Sequence, residues 1–503
     1  MNYGFVIDNR SCIGCHACST ACKSENSVPL GVNRTWVKYT EEGRYPDVKR
    51  HFQVTRCNHC ENPPCVTICP VSAMFQQKDG IVSFDGDSCI GCKACLQACP
   101  YDAIYIDPDS GTAAKCHYCG HRVSQGMEPA CVVVCPTHSI IAGDLDDPES
   151  EIAQVRAAQQ TSVRKPEQNT APNVFYVQGE RINLDPTLTQ RQPAGMMWSD
   201  VVPIHDGPVK FESTSQAEHM VQVAYNAHHK VPWHWQVPAY MMTKGVGAGL
   251  WALLGVAALM GTLQSHTLVV AGLVGLIATA VTTVLLVGDL ERPERFLKIL
   301  TRPQWRSWLT RGAFILIGFS ALTGIWWAWE AIAGPMPGAA IVAGLTIPLA
   351  LGTAVYTAFL FAQAEGRDLW QGWMLAPHLL VQAVLAGSAA WCMMAPLDSG
   401  LSLGLPMTQI FAASLMLDAV MCVADICLLR HPTKEGRIAA RDIWAGRYRH
   451  HFWGGALMLG HVIPLILLAV GGQALVVAGA ATLIGIYTYE LAYVTAPQDI
   501  PNS

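Results

Sequence analysis

The hydrophobic and polar positions divide the chain into two parts of different character. Residues 1–235 are polar and rich in cysteine, whereas residues 240–495 consist mainly of runs of Ala, Leu, Val, Gly and Ile. The apolar part holds eight stretches of about 20 residues, the length that crosses the hydrocarbon core of a bilayer. Soluble proteins do not bury so many apolar stretches of this length, so the pattern predicts an all-α bundle of eight transmembrane helices. Their approximate limits are 239–263, 267–288, 309–330, 339–362, 374–395, 406–429, 451–470 and 473–494.

The polar part predicts a small α+β domain. Strand-like pieces, YGFVID at the start, GIVSFD at 80–85 and AIYID at 103–107, flank groups of cysteines. Such short strands next to cysteine groups are typical of ferredoxin-like folds. We therefore expect a ferredoxin-like α+β domain over 1–145, a polar connector over 146–235 and a membrane domain over 236–503.

The connector is longer than an ordinary loop and contains several prolines. Its hydrophobic residues are uncommon in disordered spacers. We expect it to pack as a strap on the first domain or on a partner, with a short helix over 149–160 and an extended piece over 174–184. The residues that favour packing are Phe175, Tyr176, Met196, Met197 and Trp198.

Sixteen of the nineteen cysteines lie between positions 12 and 135, in four groups of four. The first and third groups have the spacing C-x2-C-x2-C-x3-C, which in bacterial ferredoxins gives three thiolates to one cluster and the fourth to its neighbour. The pattern therefore predicts four 4Fe–4S clusters. The groups are Cys12, Cys15, Cys18, Cys22; Cys57, Cys60, Cys65, Cys69; Cys89, Cys92, Cys95, Cys99; and Cys116, Cys119, Cys131, Cys135.

Three other uses of these cysteines fit the sequence less well. Zinc sites usually come as two C-x2-C pairs well apart, not as a tight run of four. A disulfide framework would need an export signal, and the start MNYGFVIDNR has neither a basic and apolar leader nor a twin-arginine pair. A 3Fe–4S cluster would usually show a missing cysteine, and each group has four.

Charge in the loops predicts the orientation in the membrane. The loops on the N-terminal side of the bundle carry thirteen Lys and Arg residues, and the opposite loops carry none. The positive-inside rule therefore places the cysteine-rich part in the cytoplasm, in agreement with the missing signal. The net charge of −5 gives no indication of nucleic-acid binding. The thirteen residues are Arg292, Arg295, Lys298, Arg302, Arg306, Arg311, Arg367, Arg430, Lys434, Arg437, Arg441, Arg447 and Arg449.

The cysteine-rich part resembles the four-cluster electron-transfer subunits of the molybdopterin oxidoreductase (dimethyl-sulfoxide reductase) superfamily, especially the polysulfide-reductase and nitrite-reductase-associated branch. The resemblance rests on CIGCHACSTAC, RYPDVKRHF, RCNHCENPPCVTICP, DGIVSFDGDSCIGCKACLQACPYDA, KCHYCGHRV and EPACVVVCPTHSIIAGDLDDPES. It implies a separate molybdopterin-containing catalytic subunit, with no molybdenum site in this chain. It also implies the cluster ligand sets Cys12/Cys15/Cys18/Cys135, Cys22/Cys116/Cys119/Cys131, Cys57/Cys60/Cys65/Cys99 and Cys69/Cys89/Cys92/Cys95.

The membrane part resembles the eight-helix NrfD/polysulfide-reductase anchors, through GDLERPERFLKILTRPQWRSWLTRGAFIL at 288–316 and the number of spans. In that family the anchor exchanges electrons with quinone, here menaquinone or ubiquinone, in a prokaryotic inner membrane. The anchor and the cluster protein are usually separate chains there, whereas here they are fused. The resemblance thus implies a redox subunit that connects a soluble partner to quinone.

Ionisable residues inside spans are costly and usually functional or paired. The spans carry Lys244, Asp289, His378, Asp418, Asp425, His461 and Glu490. Quinone chemistry moves two electrons and two protons, so the ring needs acidic or basic groups close to the clusters. Our candidates for contact with quinone are His378, Asp289 and Lys244, which lie in the half of the bundle next to the cysteine-rich part.

Each candidate also has a plain structural interpretation. Lys244 can snorkel to the interface, Asp289 can pair with Arg292 or Arg295, and His378 can hydrogen-bond a neighbouring helix. Haem b would need two histidines at matched depth. Counting along the spans puts His378 shallow and His461 deeper, which disfavours haem.

The sequence leaves several functions open. Cytoplasmic clusters favour substrate oxidation with quinone reduction, and the reverse flow from quinol to a terminal reductase is the alternative direction. Asp418 and His461, near mid-depth, also permit a redox-driven proton translocator. A ferredoxin tethered to the membrane without a catalytic partner is the third possibility.

Overall fold

The computed structural model describes residues 1–44, 46–191, 221–227 and 231–503. The chain forms two compact units, Met1–Lys230 with Pro501–Ser503, and Val231–Ile500. The first unit contains the cysteine groups and the described residues of the connector up to position 227. Three hydrophobic residues on which we based the strap, Met196, Met197 and Trp198, lie outside the described residues.

The first unit is built on two four-stranded sheets and two hairpins. One sheet has the order β8-β1-β10-β9 and the other β11-β12-β2-β3, while β4-β5 and β6-β7 form the hairpins. The strands are β1 Tyr3–Asp8, β2 Thr35–Arg44, β3 Asp47–Arg56, β4 Met74–Gln76, β5 Val82–Phe84, β6 Ile104–Ile106, β7 Ala113–Lys115, β8 Ile140–Asp144, β9 Thr161–Ser162, β10 Val174–Val177, β11 Gln190–Arg191 and β12 Val221–Tyr225.

Strand β1 is central because both of its faces are buried. Successive side chains of a strand point to opposite faces. Phe5 and Ile7 pack on one face against a core that includes Cys18 and Cys131. Val6 packs on the other face against Ile152 and its neighbours, with no cysteine among them. The sheet therefore separates a cysteine-bearing core from an ordinary aliphatic one.

Short helices connect these strands. The predicted helix over 149–160 is confirmed as Glu151–Ala158, and it begins where the Ser150 hydroxyl accepts a hydrogen bond from the Ala153 amide. The extended piece over 174–184 was predicted too long, because β10 ends at Val177 and a helical turn follows. The helices are α1 Ala17–Glu25, α2 Pro64–Ile68, α3 Ala94–Ala98, α4 Gly120–Val123, α5 Ala130–Val133, α6 Glu151–Ala158 and α7 Arg181–Leu184.

The second unit confirms the eight predicted spans, all of which are helices long and apolar enough to cross a membrane. Two of them contain π-helical segments, Ala424–Leu428 at the end of α14 and His450–Val462 before α16. The helices of this unit are α8 Gln236–Leu259, α9 Ser265–Gly288, α10 Lys298–Thr301, α11 Trp308–Ala333, α12 Ala339–Gln363, α13 Leu375–Met394, α14 Met407–Val423, α15 Lys434–Trp444, α16 Ile463–Val470 and α17 Ala474–Asp499.

Helix α8 is among the most buried spans and packs against α9, α12, α13 and α17. Small residues allow membrane helices to approach closely where water does not drive their association. At the crossing of α8 and α13, Gly249 and Gly387 lie against each other's backbone, and a Cβ on Gly249 would collide with the Ala383 carbonyl. This close crossing therefore requires glycine, which has no side chain, at both positions.

The crossing gives a first prediction. Gly249→Ala should destabilise the membrane unit by about 1–3 kcal/mol, because the added methyl group forces two packed helices apart. Gly344→Ala in α12 is the matched control, since a Cβ there meets nothing within 4 Å. Thermal unfolding in detergent should show a lower midpoint for Gly249→Ala alone. Equal midpoints for the two variants would contradict this packing.

Candidate metal centres and intramembrane polar site

Two of the cysteine loops have the same backbone conformation. In CIGCHAC, Gly14 and His16 have φ of 70° and 58°, and in CIGCKAC, Gly91 and Lys93 have φ of 70° and 62°. Residues with left-handed backbone conformation at alternate positions curve the loop, so that successive thiols point to its inside. Helices α1 and α3 begin directly after these loops. A Cβ on Gly14 would lie 2.5 Å from the Phe52 ring, so this position also requires glycine for space.

Folding brings the sixteen cysteines into four sets that cross the sequence groups. Three sets each line a separate cavity, and in set 1 Cys12 lies close enough to Cys15, Cys18 and Cys135 to interact electrostatically. These are the sets that the family resemblance implied. Set 1 is Cys12, Cys15, Cys18 and Cys135; set 2 is Cys22, Cys116, Cys119 and Cys131; set 3 is Cys57, Cys60, Cys65 and Cys99; set 4 is Cys69, Cys89, Cys92 and Cys95.

The four sets follow one another in a line. Cys18 of set 1 interacts electrostatically with Cys131 of set 2. Cys116 of set 2 interacts with Cys57 of set 3, and Cys95 of set 4 interacts with Cys65 of set 3. Sets 1, 2, 3 and 4 are therefore successive neighbours.

The chemistry of these sets fits iron–sulfur clusters. All nineteen cysteines lie within the described residues and all are free, so the structure contradicts a disulfide framework. Burial raises the pKa of Cys18 to about 11 and that of Cys116 to about 12, which makes bare thiolates costly in these cavities. A 4Fe–4S cluster, whose four irons would each bind one of the thiolates, would supply compensating positive charge.

Backbone amides also point at the sulfurs. The amide of Ala73 donates to Sγ of Cys69 at 3.2 Å, and the amide of Ser139 donates to Sγ of Cys135 at 3.2 Å. Hydrogen bonds to cluster sulfurs stabilise the negatively charged form and raise the reduction potential. The loops therefore provide both the cysteine ligands and hydrogen bonds to their sulfurs.

Exposure differs between the sets. In set 1, Cys15 is exposed and Cys12 and Cys135 are half-buried, whereas all cysteines of sets 2 and 3 are buried. Ile13 and Val133, next to set 1, are also exposed, with relative accessibilities of 57% and 58%. Set 1 is thus the end of the line that a soluble partner can approach.

Sequence reasoning missed two basic residues at the sets, Arg56 and Lys115. Each directly precedes the first cysteine of a group, in RCNHC and KCHYC, and each side chain is completely buried. A charged residue immediately before a ligand was the available signal.

The membrane unit holds a buried polar cluster centred on Asp418 in α14. Nε2 of His378, in α13, lies 3.1 Å from Oδ1 of Asp418, and Nε2 of His461 lies 2.9 Å from Oδ2. All three side chains are buried. Counting along the spans separated His378 and His461 in depth, yet both histidines contact the same carboxylate. Cys422, one turn after Asp418, lies 3.6 Å from Nε2 of His378.

The hydrogen-bond partners of His461 allow it to share a proton with Asp418. Its Nδ1–H donates to the Ala456 carbonyl at 2.8 Å, which leaves Nε2 facing Asp418. A hydrogen bond there needs one more proton, either on Nε2 or on the carboxyl group. The pair can therefore hold and exchange a proton. His461 lies in the π-helical segment, a distortion often found at functional sites.

Lys244 belongs to the same buried region. Its ammonium donates to Oγ1 of Thr357 at 2.5 Å and to the Ala354 carbonyl at 3.1 Å, and it does not snorkel outward. Glu490 in α17 is close enough to interact electrostatically with both Lys244 and His378. Basic and acidic groups from α8, α13 and α17 thus converge.

Four polar atoms beside His378 make no hydrogen bond of normal geometry within the described part of the chain. They are Oη of Tyr489, Nε2 of Gln382, Oε2 of Glu490 and Oδ1 of Asp418. The ring of Tyr489 packs edge-on against His378, with ring centroids 5.2 Å apart. Unpaired buried polar atoms are costly and usually serve a ligand or a water molecule. Sequence reasoning missed Tyr489, Gln382 and Cys422, because none of them is charged.

Of the other predicted intramembrane residues, Asp425 lies within electrostatic reach of His378 and Tyr489. Asp289 is half-buried at the C-terminal end of α9 and interacts electrostatically with Tyr240, as Glu490 does. Asp425 is buried in the π-helical end of α14, where His431 contacts its backbone carbonyl. Glu330 accepts a hydrogen bond from Ser265, and His266 pairs with Asp398 at an exposed position.

Comparison with known proteins identifies the membrane part first. The family described as Polysulphide reductase, NrfD matches residues 224–500, more than half of the chain. The protein belongs to this NrfD family. The 4Fe-4S dicluster domain matches residues 48–145. The chain is therefore a 4Fe–4S iron–sulfur domain fused to an NrfD-type domain of eight apolar helices, which makes it a multi-pass membrane protein.

The iron–sulfur part of this NrfD family member is similar to separate small subunits of reductases. The B subunit of tetrathionate reductase from Salmonella typhimurium is 42% identical over 203 residues, covering 40% of this chain and 80% of that protein. The B component of polysulfide reductase from Wolinella succinogenes is 43% identical over 182 residues, 36% of this chain and 95% of that protein. Protein NrfC of Escherichia coli K12 is 42% identical over 180 residues, 35% of this chain and 81% of that protein.

Proposed function

We propose that this chain carries electrons through four 4Fe–4S clusters between a separate molybdopterin-containing catalytic subunit and a quinone in the membrane. The main support is that cysteine sets 1 to 4 are successive neighbours. The same chain has a membrane unit in which a buried cluster of His and Asp can hold a proton. Such clusters supply one-electron transfer when bound. The residues of the chain fix their order and their surroundings.

The proposed quinone site is the polar region around His378, Glu490 and Lys244. Quinone is a substrate here, and each turnover moves two protons as well as two electrons. Oη of Tyr489 can donate a hydrogen bond to a quinone oxygen because it has no partner within the described residues, and the amide of Gln382 lies beside Glu490. His378 and Asp418 can exchange the protons. Asp289, the third candidate from the sequence, is proposed to contact quinone only at the edge of this site.

The proposed partner binds near set 1. Exposed Cys15 and the exposed apolar side chains of Ile13 and Val133 lie together at this end of the line. The reductases named among the relatives have such small subunits, and by analogy we extend a catalytic partner to this protein. A large molybdenum-containing subunit should therefore copurify with it, and the absence of such a subunit would favour the tethered ferredoxin.

The first test of the proposal is a metal analysis of the purified chain. Four 4Fe–4S clusters require about sixteen iron and sixteen acid-labile sulfide ions per chain. Half that content would support two clusters, and zinc without sulfide would exclude the electron path.

We further propose that the iron–sulfur domain faces the cytoplasm and that electrons flow from an oxidised substrate to quinone. The thirteen basic residues in the loops on one side support the orientation. A protease added to inverted membrane vesicles should cleave the iron–sulfur domain, while right-side-out vesicles should protect it. The opposite pattern would place the domain outside and favour reduction of an external acceptor by quinol.

Proton translocation is a second candidate function. It rests on the His378–Asp418–His461 arrangement, which holds a proton deep in the bundle. Acidification measured in proteoliposomes should then exceed the protons released by quinone chemistry alone. A ratio equal to the quinone stoichiometry would remove this candidate.

A further inference from the structure

Two basic side chains are completely buried among the cysteine sets. Arg56 ends strand β3 and Lys115 ends strand β7, and both have 0% relative accessibility. Lys and Arg are almost never fully buried unless a negative group pairs with them. Within the described residues, neither forms a salt bridge with a carboxylate. Their nearest negative partners are the cysteine sulfurs.

Arg56 lies between sets 1 and 2. Its Nη1 donates to Sγ of Cys131 at 3.1 Å, and Nε and Nη2 are buried without a hydrogen-bond partner in the described part of the chain. An arginine guanidinium is always charged in proteins. This one interacts electrostatically with Cys131 and Cys116 of set 2 and with Cys18 of set 1, so its charge faces both sets.

Lys115 lies between sets 2 and 3. Its ammonium contacts Sγ of Cys57 at 3.5 Å and donates to the Cys116 carbonyl at 2.9 Å. It also donates to the Val82 carbonyl. It interacts electrostatically with Cys60 and Cys65 as well. The cation is thus fixed by two carbonyls against the thiolates of set 3.

We propose that Arg56 and Lys115 are potential-setting residues, which raise the reduction potentials of the clusters held by sets 1 and 2 and by set 3, respectively. A reduced cluster carries one more negative charge than an oxidised one. A fixed cation in a buried, weakly screened site stabilises that extra charge. Net charge and hydrogen bonds at the sulfurs are two of the factors that set cluster potentials. The inference rests on the proposed four-cluster content.

A purely structural role for Arg56 is the competing explanation. Its guanidinium stacks on the Phe5 ring with 4.3 Å to the centroid, so it could act as a packing group. Arg156 offers a matched comparison in the same unit. It stacks on Phe175 at 4.1 Å, and Phe175 belongs to the core on the cysteine-free face of the sheet. Arg156 is exposed, so its loss removes a similar ring contact at the surface without removing a charge at the sets.

The test is a redox titration of the full chain in detergent, followed by electron paramagnetic resonance, with iron and sulfide measured for every sample. The variants are Arg56→Met, Arg56→Lys, Lys115→Met, Lys115→Arg and Arg156→Met. Loss of a contacting charge should reduce the equilibrium constant for cluster reduction about tenfold, which is 59 mV for one electron. Arg56→Met and Lys115→Met should lower the midpoints of different clusters. The charge-conserving variants and Arg156→Met should stay close to the unmodified chain.

The outcomes are separable. Unchanged midpoints in both methionine variants, at full iron content, would overturn the inference and leave the proposed function intact. Loss of iron from both methionine variants, with iron kept in Arg56→Lys and Lys115→Arg, would also overturn it in favour of a role in cluster assembly. If only one methionine variant loses iron, the reduction midpoint of the other variant decides whether the inference holds. If the unmodified chain did not contain four clusters, the proposed function itself would be wrong.

Discussion

Replacing Cys116 with alanine is expected to remove about a quarter of the bound iron and to stop electron transfer between the two ends of the line. Cys116 lies in set 2 and faces Cys57 of set 3, so its loss opens a gap between neighbouring sets. The measurements are the iron content and the transfer of electrons from a reduced soluble dye to a quinone analogue.

Cys427→Ala is the matched control for this experiment. Cys427 is a free cysteine in the π-helical end of α14, in the other unit, and belongs to none of the four sets. It should keep full iron content and full transfer. If Cys116→Ala kept both as well, the assignment of set 2 as a link in the electron path would be wrong.

The second large effect is expected at the membrane site. His378→Gln should slow electron exchange with quinone by about 100-fold, because it removes a proton-exchanging group that contacts Asp418 and packs on Tyr489. Cluster content should stay unchanged, since His378 lies in the membrane unit. Stopped-flow oxidation of the pre-reduced clusters by a quinone analogue measures the rate.

His266→Gln is the control, because His266 is an exposed histidine of the same unit whose imidazole pairs with Asp398, away from the Asp418 cluster. It should leave the rate unchanged. Equal rates for the unmodified chain and His378→Gln would exclude the region around His378 as the site of quinone chemistry.

Much of the architecture was predictable because it depends on local patterns. Eight apolar stretches of sufficient length require eight membrane helices, and all eight are present. The strand-like pieces next to the cysteines are β1, β5 and β6. The pairing of β1 with β10, about 170 residues apart, has no local signal. It depends on packing of the connector against the cysteine-bearing unit.

The intramembrane site was only partly predictable. His378 and Lys244 were candidates, but counting residues along a helix assumes a constant rise of 1.5 Å. The contact of His378 with the carboxylate that His461 also contacts depends on how the helices pack, which counting along one span does not give. Neutral groups such as Tyr489 carry no sequence signal at all, because their role depends on an unpaired atom in the folded chain.

Arg56 and Lys115 show a similar limit in the soluble part. A basic residue in a polar segment normally lies at the surface, and the one local signal in RCNHC and KCHYC, its position directly before a cysteine, does not show burial. Burial of Arg56 follows from its stacking on Phe5 of the central strand, a contact between distant parts of the sequence. Long-range packing therefore decides which charges act on the cysteine sets.

The most direct test is the oxidation of pre-reduced clusters by a quinone analogue in the purified, full-length chain under anaerobic conditions. Electrons from all four clusters should reach the quinone, so that every cluster signal changes and about two quinones are reduced for four electrons. If the clusters stayed reduced in the presence of excess quinone, the chain would not be the path from sulfur-bound iron to the membrane carrier.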